Sequence, residues 1–518
     1  MARSTITDAE PTVAAATDTR QRPSAALIVS LLMAMVLGAL DQSILATALP
    51  AIASDLHGIE SLSWVVTVFM LTSTISAPLY GKLSDLYGQR PLFMLSISVF
   101  VAASVLCGAC TSMGQLIAAR GLQGLGAGGL MTLSQIVIGR SVKPSERGRY
   151  QGVFAAAFAV SSALGPLLGG FITSNLNWRW VFFINLPLGA LAMAGLFRNL
   201  PALPRQAQVS VDYAGAVVLG VATSALLLLT HAYSFSAGGG VLVPLGLGVL
   251  ALAGFALLYR VERAASAPII DPALFANRRF TVAICAMAAM AFAMMGSLVF
   301  MPLYYQAVLH QTPTESGFMT LPQVVMMVIS SFVGGAISSR RQNFVTLLLV
   351  GVSLECLGLC LLLAFTHAGM SAPWFFLTMG VLGLGMGVGM PNATVLVQNA
   401  VAPAVMGAAT AALSFCRSLG GAVGVATAGG IMSYILARGA AGLPVSLSTF
   451  QLGDAQALAA VPADQLGQVT ELYRGAINAS LFAGAINASL FAGAIVMGLA
   501  VLLVAYLATR DRSPTQPT

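Results

Sequence analysis

Four charged residues interrupt stretches of this sequence that are otherwise apolar: Asp41, Arg120, Glu355 and Arg417. A charge at the centre of a bilayer-crossing helix costs roughly 2.5–3.5 kcal/mol, so such residues face a partner or a water-filled path and often carry protons or ions. Asp41 sits in the apolar run 25–53 and is the first candidate, a carboxyl that can take up and release a proton inside a membrane. At 1.5 Å per helical residue, Asp41 lies about 22 Å along a core about 30 Å thick. Arg120 is about seven residues from the outer end of its own run, or about 10 Å deep. The two depths agree and place Asp41 and Arg120 together in the outer half of a central cavity, where protonation of Asp41 loosens the pair. A static ion pair tying two segments together fits the same depths. Gln42 and Gln123 beside them, and Glu355 and Arg417 near mid-membrane, are candidate residues of a substrate cavity.

These side chains need elements to hold them. The chain has 518 residues, 58% hydrophobic and 8% charged, with mean hydropathy +0.88. A soluble domain carries about 25% charged residues, so the chain reads as an integral membrane protein. Its net charge of +7 then needs no nucleic acid to explain it. A span takes about 20 apolar residues. Fourteen runs qualify, at about 25–50, 62–81, 91–111, 114–138, 149–173, 179–198, 212–232, 239–260, 279–303, 316–338, 343–366, 373–397, 405–436 and 484–508. With the N-terminus inside, 19 of the 24 Lys and Arg residues fall in inner loops and tails, three fall outside and two lie within spans. That asymmetry follows the positive-inside rule and puts both termini in the cytoplasm. No cleavable signal peptide is evident, and residues 1–22 read as a disordered tail.

The spacing of two motifs suggests a duplicated bundle. Gly121–Leu130 in span 4 resembles Gly383–Met390 in span 12, and Gly334–Arg341 after span 10 faintly echoes Gly81–Gly88 after span 2. Both echoes are eight spans apart, which implies six spans, two extra spans and six more. A repeat with its site between the halves is a transporter architecture. A second repeat, Gly475–Ala483 followed at once by Gly484–Ala492, puts its copies on opposite helix faces. A recent neutral duplication accounts for it; the alternative is that the first copy extends span 14 outward as an interfacial helix. Between spans 2 and 3 lies Gly81-Lys82-Leu83-Ser84-Asp85-Leu86-Tyr87-Gly88-Gln89-Arg90. Its glycines allow a tight turn, and Asp85 can cap a helix or pair with a base, which makes either a breakable latch or an ordinary charged hairpin.

That loop resembles the signature of the major facilitator superfamily, Gly-x-Leu-(Ala/Ser)-Asp-basic-x-Gly-basic-basic. The likeness continues through Leu40-Asp41 and Ala48-Leu49-Pro50 in span 1, Arg120-Gly121-Leu122-Gln123-Gly124-Leu125-Gly126 in span 4 and Gly165-Pro166-Leu167-Leu168-Gly169-Gly170 in span 5. Asn177-Trp178-Arg179-Trp180 through Asn185-Leu186-Pro187-Leu188-Gly189 opens span 6. With fourteen spans the chain resembles the drug:proton antiporter group of multidrug and antiseptic exporters. Leu86 and Gln89 depart from the pattern where basic residues are usual, and Arg340-Arg341 in the second copy lacks an aspartate.

The resemblance implies an all-α polytopic membrane protein with the major-facilitator fold. Its expected parts are a tail at 1–24, a six-helix bundle at 25–198, two linker helices at 199–278, a second bundle at 279–508 with an outer loop at 439–474, and a tail at 509–518. It implies proton coupling by Asp41 and Arg120, a conformational latch of Gly81, Asp85, Gly88 and Arg90, and an antiporter motif of Gly165, Pro166, Gly169 and Gly170. It makes the span of Glu355 peripheral and Arg417 the better cavity candidate. The expected function is proton-coupled efflux of small amphipathic drugs or toxic compounds by a monomer in the cytoplasmic membrane of a bacterium. A dedicated exporter of one metabolite is the alternative. Energy comes from the proton gradient, with no cofactor and no metal. His57, His231, His310 and His367 have no ligand spacing, and the lone Cys107-x-x-Cys110 reads as packing. With no nucleophile triad and no phosphate loop, an enzyme is not expected. The Met and Phe residues from Met287 to Met301 fit either an adaptable pocket or plain packing.

Overall fold

The computed structural model describes residues 23–58, 61–201, 212–235, 242–309, 311–440 and 479–511, and these are almost entirely helical. The first half holds α1 (Ala25–Asp55), α2 (Leu62–Tyr87), α3 (Gln89–Ala109), α4 (Met113–Ser141) and α5 (Arg147–Asn175). It ends in a broken span made of α6 (Trp180–Phe183) and α7 (Asn185–Asn199). Two further helices follow, α8 (Tyr213–Phe235) and α9 (Leu242–Ala264). The second half holds α10 (Arg278–Ala307), α11 (Pro313–Arg341), α12 (Phe344–His367), α13 (Ala372–Asn399), α14 (Met406–Ala440) and α15 (Ala479–Asp511). Among the described residues, thirteen helical segments are long and apolar enough to cross a bilayer, and α8 contributes a shorter apolar stretch, Tyr213–Leu229. The expected loop at 439–474 lies almost wholly outside the described residues. So does the start of the nonapeptide repeat, although α15 does begin within its first copy.

Local chemistry sets the helix ends. Ser24 accepts the Leu27 amide at α1, Ser112 the Gln115 amide at α4, and Asn343 the Thr346 amide at α12. Thr312 and Glu315 form a reciprocal capping box at α11. Gly88, at φ 84°, makes the single-residue turn between α2 and α3 that a side chain would disfavour.

Each half is built around a glycine-faced central helix. Gly124 and Gly128 of α4 bring it against Thr72 and Ser76 of α2, while Gly126 and Gly129 bring it against Phe100 and Ser96 of α3. In the second half, Gly383 and Gly387 of α13 meet Gln323 and Ser330 of α11, and Gly385 and Gly389 meet Gly351 of α12. The two glycine-rich motifs therefore do the same packing work. Small residues replace the hydrophobic drive that lipid cannot supply. Met287, Met290, Met301 and Phe300 are buried in the apolar core of the second half, so that stretch is mainly packing.

The halves meet along α5–α11 and α2–α14, while α8 packs on α9, α14 and α2. At the end that carries both termini the seam is tight. Gly148 and Gly152 of α5 face Gly335, Ser338 and Ser331 of α11, and Gly81 of α2 faces Gly407 and Ala411 of α14. A Cβ on Gly81 would lie 2.8 Å from the Gly407 carbonyl oxygen. Toward the other end, Leu164, Leu167 and Phe171 of α5 and Phe318, Leu321 and Val325 of α11 are exposed.

Replacing Gly81 by Leu overpacks this seam, at a cost of about 1–3 kcal/mol. Gln398, wholly buried there, reports the outcome when changed to Cys in a background free of other cysteines. A water-soluble maleimide should leave it unlabelled with Gly81 present and label it in Gly81→Leu. Equal labelling in both would show that Gly81 does not hold the seam shut.

Candidate functional site

Four elements bring polar side chains together inside the first half. Asp41 comes from the middle of α1, Arg120 and Gln123 from one face of α4, Ser104 from α3, and Asn185 from the first residue of α7. Arg120 and Gln123 are three residues apart and so point the same way. The break between α6 and α7 delivers Asn185 to the group. Arg120 donates to Asp41 Oδ2 at 2.7 Å and to Gln123 Oε1 at 2.7 Å. Gln123 donates to Asp41 Oδ1 at 2.8 Å and to Ser104 at 2.8 Å. Asn185 donates to Asp41 Oδ1 at 2.6 Å and to Ser104 at 3.2 Å.

The Asp41 and Arg120 side chains are each 1% exposed. The guanidinium carbon of Arg120 lies 3.9 Å from the centre of the Phe69 ring, and Arg120 Nε reaches the Val65 carbonyl at 3.4 Å. Both of these contacts are on α2. Three donors around one carboxylate offset its desolvation, which an unpaired buried charge cannot do. Chemically, the arrangement can hold a proton in place of a salt bridge.

The structure thus brings Asp41 and Arg120 together, but it corrects their surroundings. The pair is sealed within the first bundle and does not line a cavity between halves. Gln123 belongs to the pair's own network, while Gln42 is exposed. The sequence points to Asn185 only as part of the motif that opens span 6, and not to Ser104. The signal for Asn185 was an amide in the middle of an apolar run.

The loop motif is divided in two. Asp85 pairs with Arg140 of α4 and accepts the amides of Gly407 at 3.1 Å and Ala408 at 2.9 Å, the first turn of α14. Two charges and a helix N-terminus meet there. Arg90 is not part of this contact. It donates to the Phe197 carbonyl at 2.6 Å and lies over the Phe197 ring, tying α3 to α7.

In the second half Gly335 and Ser339 stand four residues apart, as Gly81 and Asp85 do, one position later than the sequence echo suggested. The Ser339 hydroxyl accepts the Arg149 amide at 3.0 Å, in the first turn of α5. Arg147 donates to the Gln398 carbonyl at 2.9 Å and to Asn399 at 2.5 Å. The second copy is therefore a neutral counterpart of the first.

Gly165 and Gly169 of α5 press on Ser43, Ile44 and Thr47 of α1, whereas Gly170 faces open space and Pro166 is exposed. Glu355 is fully buried on α12, where Gly385 of α13 packs on its backbone, and neither of its oxygens has a hydrogen-bond partner. It is interior to the second bundle and does not line the seam. Arg417, half-buried on α14, reaches across the seam to Met131 of α4, with Nη2 to Sδ at 3.9 Å. Among the described residues no group of three or more His, Cys, Asp or Glu is placed to hold a metal.

At the end opposite the termini, Asp55 joins α1 to α6. It accepts the Trp178 indole N–H at 3.0 Å and Arg179 at 2.8 Å, which hold its carboxyl below the ordinary value of 3.8. A depressed carboxyl keeps its contact above its unfolded value and loses it as pH falls further. Trp178 emission should therefore be unchanged through neutral pH and shift only below 3.8. A shift centred near neutrality would exclude Asp55 as the cause. Arg120→Ala leaves Asp41 buried without its base, at about 3–5 kcal/mol of stability. Adding Asp41→Asn should restore much of the lost melting temperature, whereas additive losses would exclude a coupled pair.

Comparison with known proteins agrees with this architecture. A family model described as Major Facilitator Superfamily matches residues 31–425. The chain is 35% identical to Multidrug transporter protein MdtP of Bacillus subtilis over 80% of its length and 76% of that protein. It is 32% identical to Multidrug resistance protein 3 of the same organism, over 81% of each. It is 31% identical to Efflux pump dotC of the fungus Dothistroma septosporum, over 77% of its length and 70% of the pump. The crystal structure of the human organic anion transporter MFSD10 superposes with TM-score 0.63 at 17% identity, covering 93% of this chain and all of that one, a likeness of fold. The chain is thus a multi-pass membrane transporter that belongs to the major facilitator superfamily, with relatives named as multidrug and efflux transporters.

Proposed function

We propose that the protein exports amphipathic compounds across a cytoplasmic membrane in exchange for protons, working as a monomer with both termini inside. The observation that carries this reading is the sealed Asp41–Arg120 pair and its contact with α2. Helix α2 runs from Phe69, under the Arg120 guanidinium, to Gly81 and Asp85 at the termini-end seam. Loss of the Asp41 charge leaves Arg120 held by Gln123, Phe69 and the Val65 carbonyl alone. That changes the load on the helix that closes the seam. Proton uptake and opening of one side are then two ends of the same rigid element, and alternating access follows from making and breaking the Asp85 and Ser339 contacts. The asymmetric distribution of Lys and Arg supports the orientation.

In proteoliposomes, Asp41→Asn should reduce uptake driven by a pH gradient to background while leaving gradient-free substrate exchange and membrane insertion intact. Full gradient-driven transport by Asp41→Asn would refute proton coupling through this residue. In a pump-deleted host, broad resistance with the wild-type chain and none with Asp41→Asn supports a multidrug range. Resistance to nothing favours export of one metabolite.

A further inference from the structure

Among the described residues, Arg417 has no counter-charge in contact. It lies eleven residues into α14 from Met406, about 16 Å from that end at 1.5 Å per residue. Its contact Met131 lies ten residues from the end of α4 at Ser141, about 15 Å at the same rise, so the two sit at one level near mid-membrane. The contact crosses the seam from α14 in the second half to α4 in the first. Gly38 of α1 adjoins Met131 there, since a Cβ on Gly38 would lie 3.9 Å from Met131 Cε. The guanidinium therefore stands where α1, α4 and α14 converge. Toward the termini, six residues before Arg417 in sequence, Ala411 closes on Gly81. The side chain is only partly buried.

Among the described residues, the carboxylates of the membrane region lie elsewhere. Asp41 is held by Arg120, Gln123 and Asn185 inside the first bundle. Glu355 is wholly buried on α12 inside the second. Asp85, at the end of the seam, is taken by Arg140 and the first turn of α14. Among the described residues, none of the three meets Arg417. A guanidinium at that depth is costly, and such residues mark substrate and ion paths. Its planar fork fits a carboxylate with two parallel hydrogen bonds, which a lysine ammonium does not match. Around it the walls are thioether and apolar. Met131 is in contact, and Met295 of α10 packs against Gly421, one turn further along α14. Such side chains adapt to apolar bodies of varied shape.

We infer that Arg417 is the anchor for a carboxylate on the transported compound, so that the preferred substrates are amphipathic organic acids and not lipophilic cations. The inference rests on the exporter reading and narrows its substrate class. With the Asp41–Arg120 charges cancelled and Glu355 buried inside the second bundle, the charge that the described residues present to the seam near mid-membrane is that of Arg417. It attracts an acid and repels a cation of the same shape.

The test is equilibrium binding to the purified full-length protein in detergent at fixed pH, where no gradient is needed. The probes are fluorescein, its methyl ester with the carboxylate masked, and ethidium as the cation. The wild type should bind the acid at least about tenfold more tightly than the ester, the loss expected for one charged hydrogen-bonding group. Arg417→Gln should bind both equally, and Arg417→Lys should keep part of the preference. Equal binding of acid and ester by the wild type, tighter binding of ethidium, or an undiminished preference in Arg417→Gln each overturns the assignment. The acid–ester comparison in the wild type needs no variant to fold. Gradient-driven transport surviving in Asp41→Asn would refute proton coupling and leave this assignment standing. Loss of the acid preference would refute the assignment and leave the coupling standing.

Discussion

An ion pair that cannot reach water constrains this structure more than any other contact. Asp41 and Arg120 are buried to 1% exposure in a bundle that a membrane surrounds. A charge in that setting must be answered by charge and hydrogen bonds at close range. Gln123, Ser104 and Asn185 supply the hydrogen bonds, which requires α1, α3, α4 and α7 to converge on one point. The glycine faces of α4 allow that convergence on one side, and Gly165 and Gly169 draw α5 onto α1 on another. The pair also sets the environment of α2, because Arg120 spends its remaining surface on Phe69 and Val65.

The two halves repeat one plan with different chemistry. At the termini-end seam, each half offers a helix end to the first turn of a helix in the other. The first half makes this contact with a carboxylate backed by a guanidinium, and the second with a serine hydroxyl, while Arg147 serves Gln398 and Asn399. Charge-assisted contacts are roughly twice as strong as neutral ones. The α2–α14 side of the seam holds an ion pair, while the α5 side combines the Arg147 contacts with the close approach of Gly148, Gly152 and Gly335. The mid-membrane region is just as unequal. The first half holds a compensated ion pair within itself. Among the described residues, the second presents the Arg417 guanidinium to the seam and seals the Glu355 carboxyl away.

Much was legible in the amino-acid sequence. Span number, the six-two-six order and the repeat follow from hydropathy and motif spacing, because a bilayer imposes a length on every helix. Asp41 and Arg120 stand out because charge is rare in such runs, and their agreement in depth is simple helix arithmetic. What the sequence could not carry is direction. Gln42 and Gln123 look equivalent on the page, yet one is exposed and the other is fully buried against Asp41. Arg90 sits in the loop motif but turns to Phe197, and Arg140, fifty-five positions after Asp85, takes its place. Ser339 replaces an aspartate by a hydroxyl that no alignment of charges would find.

Composition and spacing by themselves determined a polytopic transporter with a carboxyl and a guanidinium at matching depth. Only the tertiary structure decided that this pair lies inside one bundle, that Asn185 and Ser104 complete it, and that Arg417 stands at the seam without a carboxylate. The reason is physical. The number of apolar residues sets a helix's length, but which face meets which neighbour depends on glycines and polar groups distant in sequence, whose contacts exist only once all the helices are packed.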